Sequence, residues 1–188
     1  MIAGNPSVFA IESNIDCAYE RRSQLGLGFF VIYVSGRCYG VRTPENTMLA
    51  CSYDEVSSRI SMRGQHVAPF AIEPDGGKIA DAFRAAIYSD EAQESYLNLP
   101  LSSFTALIHS KRIMWAPDGD EAFDDSSYIL HFDVNERVGL IAFKSSLGYL
   151  HEPGSLSDVW LSANDFYKIL QDWRDAFDNE LESMPKLP

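Results

Sequence analysis

Apolar and polar positions change period several times along the chain, and each change predicts an element. In "GFFVIYVSGRCYGV", residues 29–34 are an unbroken aromatic and β-branched run. Such a run predicts a central strand covered on both faces, and Ser35-Gly36 supplies the turn into a return strand at 37–41. Asn5-Pro6 marks a turn, and the partial alternation of "SVFAIESNI" predicts a strand over 7–15. Tyr128, Leu130, Phe132 and Val134 alternate with Ile129, His131 and Asp133. That spacing predicts a half-buried strand with His131 on its polar side. Asn135-Glu136 turns the chain into "RVGLIAFK" at 137–144, the partner strand.

Helical spacing appears elsewhere. Ser52 to Glu55 fits a capping box for a helix at about 53–62. The stretch from Met62 to Gly77 reads as loop with one short extended piece. Ile79, Ala82, Phe83, Ala86 and Ile87 share one face of a helix over 78–89, and Phe104, Leu107 and Ile108 share one face of a helix capped by Ser102 or Ser103. The longest stripe is Phe166, Ile169, Leu170, Trp173, Phe177 and Leu181, behind a capping box of Ser162 and Asp165. It predicts an amphipathic C-terminal helix over 163–183 whose outward face carries Asp172, Asp175, Asp178 and Glu182. Hairpins and three or four helices that do not alternate as βαβ units predict an α+β fold with a largely antiparallel sheet, in one domain over 1–188.

Charge changes this picture more than composition does. Fifteen Lys and Arg stand against 27 Asp and Glu, a formal net charge of −12. A field of that sign repels phosphate backbones and steers basic proteins inward, so nucleic acid is excluded as a direct partner. Cys17, Cys38 and Cys51 are too few and too scattered for a disulfide framework. "MIAGNPSVFAIE" lacks the basic and apolar regions of a signal peptide, and no apolar run approaches the ~20 residues that span a bilayer. These features predict a cytoplasmic protein with reduced thiols and no membrane contact.

The densest charge lies in "DGDEAFDDSSYILHFD", residues 118–133, with six carboxylates and no Lys or Arg. Read as a calcium loop it fails, because Ala122, Phe123 and Ile129 occupy positions that need an oxygen ligand, a glycine and a glutamate. His66, His109, His131 and His151 have no paired spacing and no CxxC occurs, so no metal site is expected. Asp124 and Asp125 are adjacent, and on an extended chain they point to opposite faces, which does not suit an acid–base pair. Gly77-Lys78 lacks both the earlier glycine and the following Ser or Thr of a phosphate loop. Nothing in the chain argues for an enzyme or a cofactor. Trp115 and Trp160, near the predicted edges of elements, are candidate interface anchors.

Five stretches occur together in order: "GNPSVFAIE" (4–12), "NLPLSSFTALI" (98–108), "AFDDSSYILHFD" (122–133), "RVGLIAFK" (137–144) and "VWLSANDFYKILQDW" (159–173). The set resembles the bacterial immunity protein 42 family of polymorphic toxin and contact-dependent growth inhibition systems. The resemblance implies a small cytoplasmic protein that neutralises one toxin C-terminal domain in a 1:1 complex, often a nuclease with a basic cleft, and transfers no catalytic residue. It also implies that Asp124, Asp125 and Tyr128 belong to the shared fold, with the aspartates capping a turn or accepting backbone N–H groups. Asp118, Asp120 and Glu121 precede that motif and are the candidates for partner contact, with Asp172, Asp175 and Trp115. Replacing Asp118, Asp120 and Glu121 with Ser is then expected to slow toxin association without unfolding the domain. The competing reading is a small acidic ligand-binding or regulatory module with no toxin partner.

Overall fold

The apolar run at 29–34 does form the middle of a sheet, in a computed structural model that describes residues 1–21, 23–146 and 148–188. Strands β1 (Ile2–Asn5), β2 (Phe9–Tyr19), β3 (Gly26–Val34), β4 (Arg37–Tyr39) and β5 (Thr47–Met48) lead into helix α1 (Ala50–Ser61). Helix α2 (Gly76–Tyr88), the short hairpin β6 (Ser95–Tyr96) and β7 (Leu99–Pro100), and helix α3 (Leu101–Ser110) follow. Strands β8 (Met114–Ala116), β9 (Ser127–Val134), β10 (Arg137–Lys144) and β11 (Ser157–Ser162) precede helix α4 (Ala163–Ser183) and β12 (Lys186–Leu187). The hairpins separate into two main sheets. One runs β1-β2-β3-β4, with β12 parallel to β2 and β5 against β3; the other runs β11-β10-β9-β8 and is antiparallel throughout.

Two apolar cores result. Phe9, Ile11, Phe30, Ile32 and the α4 stripe pack with Val56 of α1 and with Ile129, Val138 and Leu140 of the second sheet. The opposite face of that sheet, through Leu130, Phe132, Ile141 and Phe143, packs on α2 and α3. Because β9 is covered on both sides, seven of its eight residues are buried, including His131 and Asp133. The predicted half-buried strand is therefore corrected: its polar side faces the interior. The converse holds for β3, which is central but leaves Phe29 and Tyr33 partly exposed on its outer face.

The ends of the elements show where local cues compete with tertiary ones. Helix α4 keeps its predicted bounds, and Ser162 Oγ accepts the Asp165 amide at 3.1 Å. Asp75 caps α2, accepting from Gly77 and Lys78, so that helix starts before the predicted Lys78. Helix α1 begins at Ala50, which places Ser52 inside its first turn; the hydroxyl donates to Asp120 instead of capping. Helix α3 opens directly after Pro100 with no side-chain cap, and Ser102 and Ser103 sit exposed within it. The strand expected from residue 7 begins at Phe9, after residues 2–5 have already paired with it. Among the described residues no helix is long and apolar enough to cross a membrane.

Candidate functional site

The turn Pro117–Asp120 closes when the Asp120 amide donates to the Pro117 carbonyl at 2.6 Å. It throws Asp118 outward and Asp120 inward. Asp118 and α1 then form the two sides of a cleft of 390 Å³, lined by the carboxylates of Asp54, Glu55, Asp118 and Asp120 over an aromatic floor of Phe30, Trp115 and Phe123. Among the described residues Arg112 is the one cation in this lining; it pairs with Glu55 and stands 4.0 Å from Asp118. Cys51, at the mouth, reports the local field. Burial pushes its thiol pKa up, and Asp120, Asp54 and Glu121 push it further. No group of His, Cys, Asp and Glu among the described residues is placed to hold a metal ion.

The predicted contact residues divide. Asp118 is exposed on the cleft wall, and Glu121 is exposed next to Asp120, outside the cleft lining. Asp120 is only 9% exposed and its oxygens are engaged: it accepts from Ser52 at 2.5 Å, from the Ala122 amide at 2.9 Å and from Thr47 at 3.4 Å. Burial still pushes its carboxyl pKa up, against the pull of those hydrogen bonds. The expectation of Asp120 as a free recognition charge is corrected, because it holds α1, β5 and the 120–123 turn together. Trp115 is also corrected: it is 2% exposed, packed against Phe9 and Phe166 in the first core, while Trp160 is 37% exposed. Asp172 and Asp175 lie outside the cleft, on α4, where Lys168 and Arg174 reach them at 2.6 and 3.5 Å.

In the adjoining motif, Asp125 accepts the Ser127 amide at 3.2 Å and pairs with Lys144 at 2.8 Å. Burial pushes its pKa up, but Lys144 and Ser127 bring it below the usual carboxylate range. Asp124 is exposed. Tyr128 stacks on Phe143 at 5.4 Å and its oxygen accepts from Arg84 at 2.5 Å.

Behind the cleft runs a buried polar chain that sequence reasoning missed. Glu55 contacts Arg59 at 2.8 Å, and Arg59, with no exposed surface, donates to the Met114 carbonyl at 2.8 Å and the Arg112 carbonyl at 3.2 Å. It also donates to His131 Nδ1 at 2.8 Å. A guanidinium can only donate, so Nδ1 must accept, which fixes His131 as the neutral Nε2–H tautomer. That Nε2 faces Asp133 at 3.5 Å. Asp133 accepts from Tyr167 at 2.9 Å and from the His66 amide at 3.1 Å. Burial lowers the His131 pKa to about 3 and the His66 pKa to about 4, both helped by the Arg59 charge. Burial raises Asp133, yet His131, the His66 amide and Tyr167 bring it to about 2. The sequence signals for this chain are local ones, the i,i+4 pair of Glu55 and Arg59 on α1 and the alternation that sets His131 and Asp133 on one side of β9; neither shows that the two meet.

Comparison with known proteins bears on which family the chain belongs to. The Immunity protein 42 family matches residues 1–176, a span that includes the cleft, the buried chain and most of α4. The chain belongs to the Immunity protein 42 family. Its membership makes it an immunity protein, one whose role is to neutralise a toxin. The fold is similar to that of CdiI from Burkholderia dolosa AUO158, with a TM-score of 0.56 and 17% identity over 94% of this chain and 99% of that one. At that identity the likeness is one of fold. Comparison with curated protein sequences gives no match.

Proposed function

We propose that this immunity protein neutralises one cognate toxin domain, a basic nuclease, by binding it 1:1 through the acidic cleft in the cytoplasm of the producing bacterium. The observation that carries the reading is the cleft itself: four carboxylates against one arginine, with Glu121 beside them, on a chain of net charge −12. Asp54, Asp118 and Glu121 offer acceptors to the Lys and Arg side chains that a nuclease uses to hold phosphates. Such pairs are short, charge-assisted hydrogen bonds, and the surrounding field speeds encounter. A standard interface of roughly 1,600 Å² would extend well beyond the cleft. The chain acts in this reading as an inhibitor, by occupancy, and performs no chemistry of its own.

The test is co-expression with the toxin domain encoded beside this gene, followed by a titrated nuclease assay. A stable complex, with activity lost at equimolar ratio, is the expected result. Failure to co-purify, or inhibition only at large excess, overturns the proposal.

A further inference from the structure

The two cations that meet Glu55 are held very unequally. Arg59, on the inner side, is fully buried and also donates to His131 and to two main-chain carbonyls. Arg112, on the cleft side, leaves the turn between α3 and β8 and reaches Glu55 on α1. Beyond that pair it has only Asp118, at 4.0 Å; its side chain is 38% exposed, and among the described residues its Nε has no acceptor. A partly exposed ion pair contributes little to a fold, because water and salt compete for both partners. The backbone does not favour arginine here either. A φ of 47° lies in the left-handed region, which asparagine tolerates better. The fold uses the main chain at 112, whose carbonyl accepts from Arg59, and asks nothing of the side chain beyond Glu55.

The remaining charges show what the cleft lacks. Asp120 is bonded within the chain to Ser52, Thr47 and the Ala122 amide. Asp54 has no Lys or Arg in ion-pair range among the described residues, and Asp118 has only the distant Arg112. Arg112 thus offsets Glu55 and leaves two exposed carboxylates beside it. Its position also specifies an occupant: a planar guanidinium that fits Glu55 within reach of Asp118. Resting on the reading that a basic nuclease is neutralised at this cleft, we propose that Arg112 fills the place of an arginine side chain of the toxin and yields Glu55 to it on binding. Arg112 is then an internal competitor and a determinant of specificity. A basic surface that only approaches the mouth is repelled by it, whereas an arginine that reaches Glu55 replaces it and draws on Asp54 and Asp118 as well.

The experiment measures binding of the catalytically inactivated toxin domain to wild type, Arg112→Asn and Arg112→Gln, with melting curves to verify folding. Asparagine suits the backbone and glutamine keeps more of the length, so the two together separate loss of charge from a change in the turn. Both variants are expected to bind about tenfold more tightly than wild type, mainly through slower dissociation. Lys168→Gln on α4, outside the cleft, removes the same unit of charge and is expected to bind within about twofold of wild type. The gain is also expected to persist in an Asp54→Asn, Asp118→Asn background, because Glu55 is the seat. If wild type binds and either Arg112 variant fails to gain, or Lys168→Gln gains as much, Arg112 is no competitor and the neutralisation reading stands. If the gain vanishes in the Asp54→Asn, Asp118→Asn background, the toxin's cation sits beside Arg112 and replacement is overturned. If wild type does not bind, both readings fall.

Discussion

The rim of the acidic cleft and the polar chain behind it are built from the same residue types and obey opposite rules. At the rim, Asp118 and Glu121 are exposed, and Asp118 has only a distant 4.0 Å cation. Behind it, Asp133, His131 and Arg59 are buried and bonded to one another, to Tyr167 and to main-chain carbonyls. Charge in water contributes little to the fold and remains free to act on a partner; charge out of water must be matched or it costs several kcal/mol. The dividing line does not fall between the two halves of the 118–133 stretch. It falls residue by residue, with Asp118, Glu121 and Asp124 outward and Asp120, Asp125 and Asp133 turned to bonds within the chain.

Arg59→Met is the hardest test of this contrast. It removes the donor to His131 and two carbonyls and leaves Glu55 without its inner cation, for an expected loss of about 3–5 kcal/mol. Thermal melting should fall by roughly 6–20 °C; a drop of a degree or two would mean that the chain is not structural. Acid comes next. His66 and His131 are held neutral, at about 4 and about 3, whereas unfolded histidines titrate near 6.5. Their stabilisation is complete above about pH 6.5 and is lost as pH falls toward 4 and 3, because the unfolded chain takes up protons that the folded chain refuses. Asp133 extends the loss from about 4 to about 2. Denaturant unfolding should weaken by roughly 1.4 kcal/mol per pH unit for each histidine, and a flat response from pH 7 to 5 would count against neutral imidazoles.

The smallest effects belong to the rim, and they sharpen the comparison within four residues. Asp120→Ala orphans Ser52 and the Ala122 amide and should cost about 1–3 kcal/mol. Asp118→Asn with Glu121→Gln should change unfolding by no more than about 0.5 kcal/mol. The same pair should slow toxin association at low salt and lose that effect as salt screens the charges. Unchanged association at low salt would remove Asp118 and Glu121 from the proposed contact.

What the sequence disclosed was whatever neighbours in the chain decide. The α4 stripe and the Ser162–Asp165 cap lie within one helix, so helical spacing alone locates them. The β9–β10 hairpin follows from alternation and the Asn135 turn, where a positive φ of 55° suits asparagine. What it hid depends on segments far apart. Apart from Glu55 one turn back, Arg59 meets partners 53 to 72 positions away, and an arginine on α1 read alone belongs in water. Ser52 has the local look of a cap until Asp120, 68 residues on, takes its hydroxyl. Trp115, in a three-residue strand, gives no period from which to infer that Phe9 and Phe166 enclose it. Of the site, acidity and the outward place of Asp118 and Glu121 were legible; the cleft, which needs α1 beside residues 112–123, was not.

Glu55 stands on both sides of the contrast, with one oxygen on Arg59 inside and the other on Arg112 at the cleft. Asp54 and Asp118 on the cleft wall, and Glu121 beside them, can mutate without disturbing the interior, so under the proposed reading a lineage facing an altered toxin can rewrite them one at a time. Position 55 has no such licence, since a substitution that suits a new partner also strands a buried guanidinium. If the toxin binds there as proposed, the cleft is an address with two of its four carboxylates, Asp54 and Asp118, open to revision, and two, Glu55 and Asp120, fixed by the architecture beneath them.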